Sequence, residues 1–420
     1  MDGATTLLRA PPALDRQIRF MTAGSVDDGK STLIGRLLLD SGALMRDQAA
    51  PYDGDDVHDL AALTDGLEAE RAQGITIDVA YRYFATPQAS FIIADAPGHE
   101  QYTRNMVTAA SVSDVAVLVI DAARVERGVL KPQTRRHAAI AALMGLDVIV
   151  AVNKMDAVGW SRERFEDVRA AFADIAGELG LSSVTCVPIS ARRGDNVVRR
   201  GDPEWWNGPT LLDLISQSRP HIAQRNAPLR LPVQTMLRDG ERRFYAGRIE
   251  AGEIKVGDEA HVGPFATRAT VAEIRVGGRA APSAGAGASV AVRFGDERDV
   301  SRGDVIAAPG VRYARSVAAD VCWLDEAPWA KGRRYVLRQG ALQTQAVIDG
   351  VRFLHDIADF ARRPEAPGLK LNDIARVGVT TRDPILGDLY AELPGTGAFV
   401  LFDPDTHQTC AAGMIREVLK

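Results

Sequence analysis

The sequence predicts an α/β domain, with a mostly parallel sheet and helices on both faces, followed by two β-barrel domains. Three observations support this fold class. Residues 17–222 alternate apolar strands with amphipathic helices, which is typical of a parallel sheet. A glycine-rich phosphate-binding pattern joins the first strand to the first helix. From Leu229 onward, short alternating segments are punctuated by glycine, as in small closed barrels.

The phosphate-binding loop lies between an apolar strand at 18–23 and a helix at 32–39. Its pattern, G-x-x-x-x-G-K-[ST], lets backbone N–H groups surround a polyphosphate at a helix N-terminus. We expect Lys30 to reach the β- and γ-phosphates and Ser31 to place its hydroxyl on Mg²⁺. The residues predicted to bind phosphate here are Gly24, Ser25, Val26, Asp27, Asp28, Gly29, Lys30, Ser31 and Thr32.

A second motif ends the apolar strand at 91–94. It consists of Asp95, Ala96, Pro97, Gly98 and His99. Asp95 can hold Mg²⁺ through a water, and the Gly98 N–H can approach a γ-phosphate closely. Thr76 can join Ser31 on the metal, so that its segment is ordered with a triphosphate and released after hydrolysis. Taken alone, 95–98 also fits a type II turn, and Thr76 fits a strand.

Two further motifs predict recognition of guanine. The first consists of Asn153, Lys154, Met155 and Asp156, directly after a strand at 148–152. Asp156 would accept hydrogen bonds from the guanine N1–H and 2-amino group, whereas adenine would leave the carboxylate unpaired. Asn153 would brace the base and the phosphate loop, and the stem of Lys154 would cover the base.

The other guanine motif, Ser190-Ala191, follows a strand at 184–189 and would place a backbone N–H near the guanine O6. It carries little information alone. All of these motifs follow strands in the order that a nucleotide site needs. Because open α/β sheets bind ligands at the carboxyl ends of their strands, the set predicts a site for GTP and Mg²⁺.

Composition limits the class of protein. The chain has 420 residues, enough for two to three domains, and is 46% apolar and 25% charged. Its net charge of -5 argues against a general nucleic-acid binder. The distant cysteines Cys186, Cys322 and Cys410 lack metal-ligand spacing and are expected to be small buried hydrophobes. No signal peptide or membrane-length apolar run is present, so we expect a cytoplasmic protein that does not bind membranes.

The expected domain boundaries follow from these changes in pattern. We predict a tail at 1–16, the nucleotide-binding domain at 17–222, and barrels at 227–312 and 316–420. Within the first domain, the predicted strands are 18–23, 91–94, 115–120, 147–152 and 184–189, with a helix at 162–179. Within the first barrel, alternating segments are expected at 244–250, 252–258 and 270–276.

These features resemble the translation elongation factor group typified by elongation factor Tu. Four segments point to one branch, the large GTP-hydrolysing subunit of heteromeric bacterial sulfate adenylyltransferase: residues 24–38, 65–84, 97–106 and 133–137. Asp28 discriminates between branches, because elongation factors usually carry His there. Two features depart from the branch: Ala96 replaces its usual Thr, and the insert Val125–Arg127 is unfamiliar and has no explanation.

The resemblance implies an α/β P-loop GTPase domain followed by two β-barrels. A separate small catalytic subunit would form adenosine 5′-phosphosulfate and diphosphate from ATP and sulfate. This chain would hydrolyse GTP to drive that uphill reaction, with His99 orienting the attacking water. A fused adenylylsulfate kinase would need a second phosphate-binding loop, and none follows residue 31. Kinase activity is therefore not expected here, although a separate kinase can join the assembly.

Two alternatives stay open at this point. One is a translation-type GTPase that delivers tRNA, although the four segments and Asp28 favour the sulfate-activating branch. The other is a nucleotide switch without an enzymatic partner, which would bind GTP without any effect on sulfate chemistry. The sequence does not identify the partner interface, the stoichiometry or the step at which hydrolysis is gated. The adenylylation residues are expected on another chain.

Overall fold

A computed structural model describes residues 17–43, 60, 79–97, 103–125, 129–181, 183–218, 226–264, 267–296, 298–356, 361–364 and 368–419. The chain divides into two compact units, Met1–Pro220 and His221–Lys420. Each unit is described by itself below. The predicted boundaries of three domains stay a prediction, since both barrel-forming sheets fall within the second unit.

The first unit is built on a six-stranded sheet. Its strands are β1 (Gln17–Gly24), β2 (Ala80–Ala85), β3 (Ser90–Asp95), β4 (Val115–Asp121), β5 (Asp147–Asn153) and β6 (Val184–Pro188). Their order in the sheet is β2-β3-β1-β4-β5-β6. β2 is antiparallel to β3, and the other neighbouring pairs are parallel. The carboxyl ends of β1, β3, β4, β5 and β6 therefore meet at one edge.

The helices of this unit include α1 (Lys30–Asp40), α2 (Thr103–Ser111), α3 (Pro132–Leu143), α4 (Arg162–Leu179) and α5 (Leu211–Gln217). Local sequence explains several of their ends. Pro132 occupies the first turn of α3, where a missing N–H costs nothing. Ser161 caps α4 by accepting from the Arg164 N–H, and α4 ends at Gly180, which is left-handed.

The predicted strands of the first unit and the helix at 162–179 are confirmed, with ends shifted by at most about two residues. Strand β2 was not predicted from the sequence. Tyr81 and Tyr83 on this strand are 40% and 67% exposed, so its pattern is not that of a buried strand. Among the strands that the structure describes, β2 pairs with β3 alone and lies at the edge of the sheet.

The first barrel of the second unit contains strands β7 (Arg230–Pro232), β8 (Thr235–Asp239), β9 (Arg242–Arg248), β10 (Glu253–Lys255), β11 (Glu259–Val262), β12 (Thr267–Val276), β13 (Arg279–Ala281), β14 (Ser283–Gly285), β15 (Ser289–Phe294) and β16 (Val305–Ala307). The main path is β7-β16-β11-β12-β15-β9-β8. A hydrogen bond from the Gln234 N–H to the Ala246 carbonyl (2.9 Å) connects the start of this path to β9. Leu231, Ile274 and Val292 are among the fully buried core residues.

The second barrel contains β17 (Tyr313–Trp323), β18 (Arg334–Gln339), β19 (Leu342–His355), β20 (Arg362–Pro364), β21 (Ile374–Leu386), β22 (Ala398–Phe402) and β23 (Thr409–Val418). Six of them run in the order β18-β22-β23-β17-β21-β19, and β18 also pairs with β19, which closes the barrel. A short helix, α6 (Pro394–Gly397), precedes β22. The prediction of an α/β domain followed by two β-barrels is confirmed.

Buried polar contacts join the two barrels. Arg230 of β7 donates from Nη2 to the Asp388 Oδ1 (2.8 Å) and from Nε to its Oδ2 (2.9 Å). Both side chains are buried, and the Thr396 hydroxyl also donates to Asp388. Loss of either partner would leave the other charge buried and unpaired, which is strongly destabilising.

The three cysteines are free thiols. Cys322 and Cys410 are buried, and Cys186 is half-buried. Among the helices that the structure describes, none combines the length and apolar character needed to cross a membrane.

Candidate guanine nucleotide site

The phosphate loop connects β1 to α1 through two residues in left-handed conformations. Asp27 has φ 66° and Gly29 has φ 93°. A Cβ on Gly29 would lie 2.4 Å from the Asn153 Nδ2, so glycine is required both by conformation and by space. Gly24 is similarly close to β4, since a Cβ there would lie 2.5 Å from the Val119 carbonyl oxygen. These glycines give the loop the tight curvature that surrounds a phosphate.

Lys30 begins α1 and turns its ammonium back across the loop. Its Nζ donates to the carbonyl oxygens of Gly24 (2.9 Å) and Ser25 (3.0 Å). The side chain is buried, and this burial lowers the Lys30 pKa against the attraction of Asp95 and Asp28. The cation is therefore held at the loop by neighbouring oxygens, beside the backbone that would receive an anion.

Asp28 lies in the middle of the loop and is 1% exposed. Its Oδ2 accepts from the Ser25 N–H (2.9 Å), and its Oδ1 accepts from the Lys131 Nζ (2.7 Å). Burial raises the Asp28 pKa, and the hydrogen bond and charge of Lys131 oppose that rise. The side chain therefore faces into the protein, while Val26 and Asp27 are more exposed.

Asp95 ends β3 beside the phosphate loop. Its Oδ1 accepts from the Thr22 hydroxyl (3.1 Å), and the Ala96 N–H donates to the Thr22 carbonyl oxygen (3.3 Å). Ser31 and Thr32 lie in the first turn of α1 and are partly exposed.

 Ala96 and Pro97, which follow β3, are both buried, so only their backbone could face a ligand.

The donor set at Asp95 fits a magnesium ion. Mg²⁺ is usually held by one or two carboxylates together with substrate phosphates, and not by a cage of protein ligands. The described residues contain no group of three or more His, Cys, Asp or Glu that could hold a metal. A buried carboxylate and the Ser31 hydroxyl flank the phosphate loop instead.

Three predicted site residues, Thr76, Gly98 and His99, lie outside the described residues. Their proposed roles in metal binding, γ-phosphate sensing and water orientation stay predictions.

Asn153 ends β5 and braces two loops at once. Its Nδ2 donates to the Asp28 carbonyl oxygen (2.9 Å), and its Oδ1 accepts from the Ala191 N–H (2.9 Å). The side chain is 2% exposed. The amide therefore connects the phosphate loop to the loop after β6, and its predicted contact with the base stays a prediction.

Lys154 has a left-handed backbone, with φ 60°, which projects its side chain toward the phosphate loop. Its Nζ donates to the Asp27 carbonyl oxygen (2.6 Å) and to the Asp121 Oδ2 (2.8 Å). Asp121 ends β4, is 3% exposed, and also caps the short 3-10 helix Ala122–Arg124. The ammonium thus bridges the phosphate loop and the end of β4, and the predicted cover of the base by the stem stays a prediction.

Met155 and Asp156 lie in the 3-10 helix Met155–Val158. Met155 is fully buried, so its side chain packs in the core and only its backbone could contribute to a base site. Asp156 is half-buried. Among the residues that the structure describes, none donates a hydrogen bond to its carboxylate, and its predicted contact with guanine stays a prediction.

Ser190 and Ala191 follow β6 and are buried. The Ser190 N–H donates to the Asp195 carbonyl oxygen (3.2 Å), and the Ala191 N–H donates to the Asn153 Oδ1. Contact between the guanine O6 and the Ala191 N–H would require this hydrogen to be shared with Asn153. The predicted O6 contact stays a prediction.

Two residues near the loop were missed by the sequence reading. Asp121 could have been found, because it ends a parallel strand as Asp95 and Asn153 do. Lys131 carries no such signal: it precedes α3 and reaches Asp28 across 103 positions of sequence. Of the unexplained insert, Val125 is buried and its carbonyl oxygen accepts from the Arg164 Nη1 (2.9 Å).

Comparison with known proteins agrees with this geometry. The family described as "Elongation factor Tu GTP binding domain" matches residues 15–221, and the one described as "GTP-eEF1A C-terminal domain-like" matches residues 316–416. The structure of sup35 complexed with GDP covers 98% of this chain and 97% of its own, at 25% identity. Its TM-score of 0.45 is too low to inform the fold further.

Curated relatives identify the branch. Sulfate adenylyltransferase subunit 1 of Citrobacter koseri is 42% identical over 417 residues, which are 96% of this chain and 87% of that protein. This chain belongs to the sulfate adenylyltransferase subunit 1 family. It carries the GTP-binding domain of that family, and the resemblance drawn from the four sequence segments is confirmed.

Some relatives are longer. Bifunctional enzyme CysN/CysC of Mycobacterium tuberculosis is 44% identical over 95% of this chain, which spans 67% of that protein. Bifunctional enzyme NodQ of Rhizobium sp. is 43% identical over 96% of this chain, which spans 64% of that protein.

Proposed function

We propose that this chain hydrolyses GTP and couples that hydrolysis to sulfate activation by a partner catalytic subunit. The partner would form adenosine 5′-phosphosulfate and diphosphate from ATP and sulfate. One observation carries the proposal: the phosphate loop, Asp95, Asn153 and the loop after β6 adjoin at one edge of the sheet of a subunit 1 family member.

The environment of Asp156 supports GTP over ATP as the nucleotide that this chain hydrolyses. The Asp156 carboxylate is half-buried and accepts no hydrogen bond from any described residue, so a base that donates twice would satisfy it. Adenine presents an acceptor where guanine presents N1–H, which would leave the carboxylate desolvated and unpaired. A buried polar mismatch of this kind supports discrimination of roughly 10⁴-fold.

Phosphate binding rests on this chain's own cation and backbone. Lys30 is held against the loop carbonyls and can donate to phosphate oxygens, while the loop N–H groups and the N-terminus of α1 favour the same anion. Ser31, Thr76 and Asp95 would hold Mg²⁺, which would neutralise charge on the phosphate oxygens. His99 would orient the attacking water.

Coupling requires that the two nucleotide states differ in affinity for the partner. A ligand can shift an equilibrium only by the difference in its binding free energy between the states. The segments that contain Thr76 and Gly98 would supply that difference, because both would contact the γ-phosphate. Linkage then requires the partner to change the affinity for GTP by the same factor.

The test is a reconstitution. The full chain is copurified with the small catalytic subunit of a sulfate adenylyltransferase, and adenosine 5′-phosphosulfate formation is measured with ATP and sulfate, with and without GTP. We expect stimulation by GTP and none in the Lys30→Ala variant. An equal rate with and without GTP would overturn the proposal.

The translation-type alternative rests on the two domain matches alone, whereas the relative that is 42% identical over 96% of this chain is named a sulfate adenylyltransferase subunit. It predicts tight binding of aminoacyl-tRNA in the GTP state, measurable by filter binding with the same purified chain. Binding of tRNA together with unstimulated sulfate chemistry would favour it.

A further inference from the structure

The residue of interest is Lys131, which precedes α3 and lies outside every motif recognised in the sequence. Its ammonium donates to the Asp28 Oδ1 at 2.7 Å, and its side chain is 33% exposed whereas that of Asp28 is 1% exposed. The pair therefore places a buried carboxylate in the phosphate loop and a partly exposed cation against it.

Asp28 shapes the loop through its second oxygen. The Asp28 Oδ2 accepts from the Ser25 N–H (2.9 Å), while the Asp28 N–H donates back to the Ser25 carbonyl oxygen (3.3 Å). The side chain and the backbone thus close the same four-residue turn. Since Lys30 donates to that Ser25 carbonyl oxygen as well, the turn also positions the phosphate-binding cation.

The electrostatics of this arrangement depend on a counter-charge. A buried carboxylate next to bound phosphates would repel them, and charges interact strongly where water is excluded. Lys131 cancels this charge without entering the loop itself. Lys131 is also well placed to do so, because Pro132 fixes the first turn of α3 directly after it.

Among the other described ionisable groups near the loop, Lys30 also attracts Asp28, but its ammonium donates to the Gly24 and Ser25 carbonyl oxygens and not to that carboxylate. His137 of α3 is fully buried, and burial together with the charge of Lys30 lowers its pKa to about 3, so it is neutral near pH 7. Lys154 is engaged with Asp121 and the Asp27 carbonyl oxygen. Arg124 lies 3.4 Å from the exposed carboxylate of Asp27.

We propose that Lys131 is a positioning residue of the nucleotide site: it neutralises the buried Asp28 carboxylate and thereby holds the Ser25–Asp28 turn in its phosphate-binding form. This inference rests on the proposed nucleotide site, and it adds a residue that does not touch the nucleotide. It assigns to Lys131 an effect on GTP and GDP affinity that passes entirely through Asp28.

The experiment is a double-mutant cycle on the full chain, read by the dissociation constant and dissociation rate of a fluorescent GDP analogue. Lys131→Met keeps the aliphatic stem and removes the charge, so we expect affinity to fall about tenfold or more, mainly through faster dissociation. Lys131→Arg keeps the charge and should stay within about threefold of wild type. Arg162→Met, which removes an exposed positive charge at the start of α4, is the matched control.

Measurements in the Asp28→Asn background test whether Lys131 acts through Asp28. Asparagine keeps an oxygen for the Ser25 N–H but carries no charge, so Lys131→Met should then cost less than about twofold. If Lys131→Met instead weakened binding as much in the Asp28→Asn background as in wild type, Lys131 would act independently of Asp28 and the inference would be wrong. Affinity of Lys131→Met within about threefold of wild type would also overturn it.

Thermal unfolding of each nucleotide-free variant separates binding from folding. If Lys131→Met did not fold, a folded double variant that binds the analogue would support the inference, and an unfolded one would overturn it. Failure of wild type to bind GDP would refute the proposed function as well. If wild type bound GDP normally and Lys131→Met bound it with unchanged affinity, only the role of Lys131 would be refuted.

Discussion

The brace at Asn153 gives the sharpest prediction about the nucleotide site. In Asn153→Ala, the Asp28 carbonyl oxygen and the Ala191 N–H each lose a hydrogen bond of 2.9 Å. Both partners are buried, so the alanine leaves two polar groups unpaired. The phosphate loop and the loop after β6 would then be joined only through the remaining contacts.

The magnitude follows from those two hydrogen bonds. A net contribution of about 1 kcal/mol each gives about 2 kcal/mol, which corresponds to roughly 30-fold weaker nucleotide binding if the bound state requires the brace. Isothermal titration with GDP measures the affinity, and urea unfolding measures how much of the loss falls on stability instead.

The control is a residue of the same unit that stabilises without bracing the site. Thr210 caps α5 by accepting from the Asp213 N–H, so Thr210→Ala should cost about 1 kcal/mol of stability. It should leave GDP affinity unchanged. The reasoning is refuted if Asn153→Ala binds GDP within about threefold of wild type, or if Thr210→Ala weakens binding as much.

Three further predictions concern the loop, the barrels and acid stability. Gly29→Ala places a Cβ 2.4 Å from the Asn153 Nδ2 at φ 93°, so GDP affinity should fall about tenfold or more in the same titration; unchanged affinity would contradict the loop geometry. Arg230→Met leaves the buried Asp388 carboxylate unpaired. The free energy of unfolding of the second unit, measured in urea, should therefore fall by about 3–5 kcal/mol. A loss under about 1 kcal/mol would contradict this prediction. Burial holds the His137 pKa at about 3 against an ordinary 6.5, so the unfolded state binds more protons between these values. The stability present above pH 6.5 should therefore be lost on acidification toward pH 3 by up to about 1.4 kcal/mol per pH unit, and His137→Gln should flatten that slope; an unaltered slope would place the acid sensitivity elsewhere.

Much of the architecture was predictable because the signals are local. Strands β1, β3, β4, β5 and β6 are apolar runs that end in polar motifs, and glycine marks the turns of both barrels. The need for glycine at position 29 also follows from the loop pattern. The edge strand β2 was not predictable in the same way, because an edge strand with exposed tyrosines lacks a buried pattern.

Site residues that belong to a sequence motif could be predicted, whereas contacts that arise only from tertiary packing could not. The bracing role of Asn153 follows from its place after β5. The pairing of Lys131 with Asp28 and of Lys154 with Asp121 depends on how distant segments meet in three dimensions. The internal bond of the Ala191 N–H to Asn153 has the same origin, since only tertiary structure brings the two together.

We propose that guanine recognition by this chain drives the chemistry of its partner. Asp156→Asn exchanges an acceptor for a donor and should shift preference from guanine to xanthine, whose C2 oxygen replaces the amino group. The decisive measurement is the rate of adenosine 5′-phosphosulfate formation by the reconstituted complex with GTP or with xanthosine triphosphate. The account predicts that wild type responds to GTP alone and that Asp156→Asn responds to xanthosine triphosphate. Undiminished stimulation of the Asp156→Asn complex by GTP would contradict it.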